Sequence, residues 1–360
     1  MSGRPRLPSL AAKLHALAGI VCSLAAVLLG ASGTLLVFKE RYVRATLLEA
    51  RAAADLSPEA LGRVAEIVQV RFGADQIRAL TFASASLGVH RAFLADGGGA
   101  YLASDGRVVA RWSKNARLED WIFDLHRHLL AGETGKRIVG VVGLALLALV
   151  ITGVAAFWPA RRALRRGVGV RVRTATRGEL VRAHRNLGVI VAIPIALQAL
   201  TGAGLAWPDA ARRWISDSKD TSPPSAAPIR APAAPRSGGI DWRRAIARAA
   251  ARAPGAELRG ATWPSAERAA AIRLRQPGEW HPNGRTLATL DPSSGEIVSF
   301  TDATRLGGGD RLLNALYPVH AARVGRPLLE LAALGAGAGL IALGLSGALA
   351  FARRTGRAAA

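Results

Sequence analysis

Residues 14–33 read LHALAGIVCSLAAVLLGASG, and residues 183–202 read AHRNLGVIVAIPIALQALTG. In the first stretch His15 precedes Ser32-Gly33 by 17 positions, and in the second His184 precedes Thr201-Gly202 by the same 17. Two more stretches share a second spacing. His126 precedes Thr152-Gly153 by 26, and His320 precedes Ser346-Gly347 by 26. Aromatic ends keep step: Phe38 and Trp207 lie 23 beyond their histidines, Phe157 and Phe351 lie 31 beyond theirs. The four apolar runs concerned, 14–38, 138–158, 187–207 and 328–351, are each long enough for a bilayer core, which takes about 20 apolar residues. The spacing predicts an α-helical membrane protein: a four-helix transmembrane bundle from an internal duplication of helix–domain–helix.

Composition narrows the chemistry. The 360 residues are 50% hydrophobic, with 48 Lys+Arg against 25 Asp+Glu, for a net charge of +23. A soluble chain so charged would suggest a nucleic-acid partner. Here the charges are segregated from the apolar runs, which points to a lipid bilayer and not to nucleic acid. The densest basic stretch holds Arg161, Arg162, Arg165, Arg166, Arg171, Arg173, Arg177 and Arg182 against Glu179. It reads as a cytoplasmic loop, and so do the N-terminus and the tail with Arg353, Arg354 and Arg357. The single cysteine, Cys22, excludes an intramolecular disulfide, a cysteine zinc site, an iron–sulfur cluster and a CxxCH haem attachment. The one methionine is Met1, so a redox metal would fall to the seven histidines.

The resulting layout is a cytoplasmic N-terminus (1–13), helix one (14–38), a domain at 39–125, and helix two with its outer extension (126–158). The arginine loop (159–183) and helix three (184–207) follow, then 208–327 with a linker at 216–239, helix four (328–351) and a cytoplasmic tail (352–360). Each long connection reads as an α+β domain outside the membrane. In the first, 57–72 has helical periodicity, 79–83 and 92–95 read as strands, and 100–112 reads as a hairpin about Asp105-Gly106. In the second, a helix at 241–253 precedes strands at 257–263 and 270–276 and a hairpin at 286–300.

Direction of travel sets depth. Helices one and three enter from the cytoplasm, which groups His15 with His184 at the inner end. Helices two and four enter from outside, which groups His126 with His320 at the outer end. Two histidine pairs at opposite ends of a bundle match the needs of two bis-histidine haems. His128 lies on the opposite face of its helix from His126 and has no counterpart in helix four, where residue 322 is Ala. Arg127 and Arg185 follow two of the histidines and are candidate propionate partners. Gly153, Gly202 and Gly347 leave room on their helices, for a macrocycle or for a neighbouring helix. Gly335, Gly337 and Gly339 read as close helix packing. His90 and His281 read as solvated loop residues. Rival readings are a non-redox membrane protein whose outer domains bind peptides or regulate a protease, and a transporter with a histidine proton relay.

The stretches Leu14-His15 with Ser32-Gly33, Asp124-Leu125-His126-Arg127 with Gly132-Glu133-Thr134-Gly135, and Thr152-Gly153 ending in Phe157-Trp158-Pro159 resemble the PepSY-associated transmembrane proteins. So do His184-Arg185-Asn186-Leu187-Gly188 and Leu316-Tyr317-Pro318-Val319-His320. The resemblance covers nearly the whole chain. It implies two PepSY-like periplasmic domains, a bacterial inner-membrane location and two b-type haems. It also implies reduction of Fe(III)-siderophore, or another ferric chelate, by electrons from a cytoplasmic or quinol donor. By matched position, His15, His126, His184 and His320 would be the iron ligands. The chain departs from the family in ending helix four with Ala350-Phe351-Ala352 instead of tryptophans.

Overall fold

A computed structural model describes residues 10–157, 170–216, 239–266 and 268–355. Most of the expected cytoplasmic N-terminus, Trp158, Arg161 to Arg166, the linker at 217–238 and the end of the tail lie outside the described residues. The chain is mostly helical, with an antiparallel sheet, and divides into two units.

The first unit holds the helices long and apolar enough to cross a membrane: α1 (Leu10–Val37), α5 (Gly132–Phe157) and α11 (Leu328–Thr355). A fourth candidate span is the pair α6 (Arg177–Ile190) and α7 (Ala192–Ala206), bent by 67°. Pro194 accounts for the bend. It has no N–H to give the Ile190 carbonyl, and its ring collides with that carbonyl, so α6 ends there. Aliphatic side chains such as Leu17, Val21, Leu24, Val141, Ile151 and Leu331 stay exposed along these helices, as lipid-facing side chains must. Inside the unit, α1 packs on α11 and α5, and α7 packs on α5. At the α1–α11 crossing a Cβ on Gly337 would sit 2.8 Å from the Gly30 carbonyl, and where α11 meets the α6–α7 break one on Gly339 would sit 2.9 Å from Val191. Gly335 faces open space.

Helix two differs from the sequence expectation, and helix four keeps its expected start at Leu328. Helix two does not run on from 126. Instead α4 (Leu118–His128) stops, Leu129 and Leu130 take φ of 48° and 60°, and α5 starts at Gly132. Gly135 permits this turn, because a Cβ there would fall 1.6 Å from the His128 carbonyl. Likewise α10 (Gly308–His320) is separated from α11 by a turn with Ala322 and Gly325 at φ of 51° and 61°.

The second unit corrects the expectation of two separate domains. Its strands are β1 (Ile77–Thr81), β2 (His90–Leu94), β3 (Gly99–Leu102), β4 (Val108–Trp112), β5 (Glu257–Thr262), β6 (Ala270–Arg275), β7 (Thr286–Leu290) and β8 (Ile297–Thr301). All eight form one antiparallel sheet ordered β4-β3-β2-β1-β5-β6-β7-β8, which reads the same outward from the β1–β5 join. That join pairs Leu80 with Ala261. Apart, each half would present an unpaired edge strand. Helices α3 (Pro58–Phe72) and α9 (Trp242–Arg252) contribute to one core with strands from both halves. Each starts at a side-chain cap, Ser57 accepting from the Ala60 N–H and Asp241 from the Arg244 N–H. Trp242 and Trp263 stack with centroids 4.4 Å apart, and Gln69 of α3 accepts from both indole N–H groups at 2.8 and 3.0 Å. Such a ring pair contributes about 0.5–1.5 kcal/mol beyond its burial. Its polar partner comes from the other connection, so neither half completes its core alone.

Candidate functional site

The chemistry-bearing residues of the first unit are built from a dipeptide repeated on four helices. Ser32-Gly33 lies on α1, Thr152-Gly153 on α5, Thr201-Gly202 on α7 and Ser346-Gly347 on α11. Each hydroxyl turns back and donates to a carbonyl of its own helix: Ser32 to Leu28 at 2.6 Å, Thr152 to Ala148 at 2.8 Å, Thr201 to Leu197 at 2.7 Å and Ser346 to Leu343 at 3.4 Å. A hydroxyl has one proton, so these oxygens are left as acceptors.

Each oxygen meets the Nδ1 of a histidine from a different helix. Ser32 meets His126 at 3.0 Å, Thr152 meets His15 at 3.1 Å, Thr201 meets His320 at 3.0 Å and Ser346 meets His184 at 3.2 Å. Because the hydroxyl proton is committed to the helix, Nδ1 carries the imidazole proton and donates it. Nε2 then keeps its lone pair, the form in which imidazole binds a metal, with its other nitrogen held by an outer partner. The glycine beside each hydroxyl receives the ring. A Cβ would stand 3.0 Å from the Cε1 of His126 at Gly33, 3.0 Å from that of His15 at Gly153, 3.1 Å from that of His320 at Gly202 and 3.3 Å from that of His184 at Gly347. The room these glycines leave is filled by an imidazole from a neighbouring helix.

The rings come together in pairs. His15 and His184 have centroids 6.1 Å apart with planes at 80°, and His126 and His320 are 6.0 Å apart at 43°. Two imidazoles on opposite sides of one metal ion, with metal–nitrogen bonds of about 2.0–2.1 Å, place their centroids about 6.2 Å apart. Both pairs fit that spacing. Among the described residues no set of three or more His, Cys, Asp or Glu side chains is placed to hold a metal ion. Each pair offers two imidazole donors, the number of positions that the iron of a macrocycle leaves open. The level of one pair lies about 25 Å from the other along α1, from 17 residues at about 1.5 Å each.

Of the other expected residues, His128 is taken up by its own helix, with Nδ1 2.7 Å from Asp124 Oδ1. Arg127 lies over the Phe123 ring at 5.9 Å, and Arg185 Nε is 3.3 Å from Asn186 Oδ1. His90 and His281 are not solvated. They are buried, with 0% and 6% exposure, and each Nδ1 accepts a backbone N–H, from Ala83 at 3.1 Å and Asn283 at 3.2 Å. Burial pushes the His90 pKa down to about 4. Burial and the arginines around it push that of His281 down to about 2. The hydroxyls of Ser32, Thr152, Thr201 and Ser346 mark register in the sequence, but their partnership with histidines across helices is not visible there. The signal for it is that each Ser/Thr-Gly recurs once per histidine.

The family model described as the PepSY-associated TM region matches residues 12–354. No curated protein matches the chain.

Proposed function

The chain belongs to the PepSY-associated transmembrane family, and on that premise we propose that it is a di-haem electron-transfer protein of the bacterial inner membrane that reduces ferric iron, held as a siderophore or other chelate, on the periplasmic side. In this reading the spans form a duplicated four-helix bundle with both termini in the cytoplasm, and the eight-stranded unit is periplasmic. The observation that carries it is the fourfold His–hydroxyl–glycine device, which holds each Nδ1 on a hydroxyl and brings the imidazoles together in two pairs with centroids 6.1 and 6.0 Å apart. The His15/His184 pair would hold the inner haem b and the His126/His320 pair the outer one, and Arg127 and Arg185 would pair with propionates once released from Phe123 and Asn186. What haem supplies there is one-electron transfer, one electron per Fe(III) reduced to Fe(II), drawn from a cytoplasmic or quinol donor.

The chain's own contribution is positional. The hydroxyls hold each imidazole in one tautomer and one orientation, so neither ring has to reorganise when its metal changes charge. Apolar side chains such as Ala26, Leu146 and Ala199 keep water from the helix interior between the two levels. Release of iron follows from chelate chemistry, since hard oxygen donors hold Fe(III) far better than Fe(II). The test is a reduced-minus-oxidised spectrum of the full chain purified in detergent. The expected result is a b-type signal equal to two haems per chain. A chain that takes up no haem, when expressed with haem in excess, sinks the reading.

A further inference from the structure

The second unit gathers Arg259, Arg273, Arg275 and Arg285 around only two acids, Glu257 and Glu279. Arg273 and Arg275 lie on β6, and Arg285 directly precedes β7, at the end of the connection 276–285. That connection is drawn tightly against the sheet. Gly284 has φ of 66°, and a Cβ there would fall 1.9 Å from the Leu274 carbonyl. The acid of the loop, Glu279, is committed to holding the loop itself. Its Oε1 accepts from the Gln276 N–H and the Thr286 hydroxyl, both at 2.8 Å, and its Oε2 accepts from the Arg285 N–H. Arg275 finds Glu257 at 3.4 Å, and Arg273 reaches only the Gly284 carbonyl, also at 3.4 Å. Among the described residues the guanidinium of Arg285 meets no acceptor and no carboxylate within ion-pair distance, and its Nε is buried without a partner. The Nε of nearby Arg259 is buried and unpartnered too, while its Nη1 lies 3.5 Å from Glu257, the acid that Arg275 also uses.

We propose that Arg285, with Arg273 and Arg275, forms a binding site for an oxyanion of more than one negative charge, and that the ferric chelate this protein reduces is of that class, a carboxylate-bearing anionic complex. The proposal deepens the reading above and rests on it for the word "ferric". Four arginines here share two carboxylates, Glu257 and Glu279, and the fork of Arg285, with no carboxylate of its own within ion-pair distance, is shaped for a carboxylate arriving from outside. The neighbouring groups agree. His281, packed on the Tyr317 ring at 5.0 Å, is kept neutral and adds no charge of its own. Arg285 has its own pKa lowered to about 10, by burial first and Arg273 next. The other half of the sheet shows how this fold treats an arginine meant only for structure. There Arg91 Nη2 reaches both oxygens of Asp120, at 2.6 and 2.8 Å, and Arg117 pairs with Glu119 at 2.5 Å. Tyr317, against the proposed site, lies on α10 three residues before His320.

The experiment is calorimetric titration of the full chain in detergent with gallium(III) citrate, a redox-inert anionic complex, beside a neutral gallium(III) trihydroxamate. Arg285→Gln is expected to weaken citrate-complex binding at least tenfold and to leave the neutral complex unaffected. Arg285→Lys should recover part of the loss. The melting midpoint of Arg285→Gln without ligand should equal or exceed that of the wild type, since a positive charge crowded by Arg273 has been removed. Equal affinity of wild type and Arg285→Gln for the citrate complex overturns the proposal. So does a midpoint lowered in Arg285→Gln without ligand, which would make Arg285 a structural residue. If the protein carries no haem yet binds the citrate complex through Arg285, the anion site stands and the reductase reading falls. Haem without Arg285-dependent binding overturns the anion site and leaves the reductase reading in place.

Discussion

The two histidine pairs use the same parts on different mounts. His15 sits in the first turns of the long span α1, and His184 sits in α6, seven residues ahead of the bend at Val191. His126 and His320 sit outside the long spans, at the C-terminal ends of the short helices α4 and α10. The planes reflect this, at 80° for the first pair and 43° for the second. The contrast explains how 17 and 26 residues can describe one geometry. Seventeen residues of continuous helix rise about 25 Å, and 26 would rise about 39 Å. Ser32 must stand level with His126 while Thr152 stands level with His15, so a continuous helix from 126 to 152 would overshoot by about 14 Å. The turns after His128 and His320 absorb the excess. The additional nine residues are not more span; they are the fold-back that returns each histidine to its hydroxyl.

The largest test separates the pairs. Under the proposed function, His15→Ala and His126→Ala should each lower bound haem from two per chain to one, read by haem quantitation. The remaining signal should carry the electron-paramagnetic signature of the other pair, because axial-plane angles of 80° and 43° differ. His128→Ala should leave both. Loss of the same haem from His15→Ala and His126→Ala would contradict the pairing.

A smaller effect is expected from the glycine cradle, graded by the room each glycine leaves. Gly33→Ala and Gly153→Ala place a methyl 3.0 Å from an imidazole, whereas Gly347→Ala places it at 3.3 Å. The first two should release haem on titration with a competing apo-globin about tenfold or more faster than the wild type, and Gly347→Ala less than that. An equal response from Gly33→Ala and Gly347→Ala would show that the cradle is not what positions the rings.

Removing the hydroxyls should have a more modest effect. Ser32→Ala and Thr201→Ala unlock the Nδ1 proton of the second pair, at a cost of about 10-fold in haem affinity, near the low end for an outer partner of a metal ligand. Ser346→Ala should matter least, since its hydroxyl holds Leu343 and His184 at the longest distances of the four, 3.4 and 3.2 Å. Ser32→Thr should restore the wild-type value. A set of variants with indistinguishable affinities would argue against the tautomer lock.

How much of this is legible in the sequence follows from what each signal depends on. The apolar runs and the duplicated histidine offsets are local facts, and they lead to the spans and to the four candidate residues. The elements 57–72, 100–112, 241–253 and 286–300 are legible for the same reason, and all four match elements of the sheet unit. The fusion of two domains into one sheet is not, because the pairing of Leu80 with Ala261 and the sharing of Gln69 between two tryptophans join residues more than 170 positions apart. The breaks after His128 and His320 are legible in principle, since 17 and 26 cannot both be straight helices spanning the same two levels. His90 escapes the sequence because a polar residue between a turn of small residues, Ala83 to Gly88, and an arginine looks solvated, whereas its Nδ1 is needed to cap the Ala83 N–H.

His90 also supplies the control for the metal pairs. A backbone N–H donates to its Nδ1, so its proton lies on Nε2, the opposite tautomer from the four site histidines. Buried and neutral, it titrates at about 4 in the folded chain against 6.5 unfolded. Between those values the unfolded state binds a proton that the folded state refuses, so stability rises with pH there. The contribution is fully present above 6.5 and is lost as pH falls towards 4. At about 1.36 kcal/mol per pKa unit it amounts to about 3 kcal/mol. His90→Gln keeps an acceptor for Ala83 but has no proton to refuse. Its melting midpoint should fall less steeply than the wild type's between about pH 6.5 and 4.5, with haem content at about pH 7 unchanged. An unaltered slope would mean that the acid sensitivity of this unit resides elsewhere, with His281 the next residue to test.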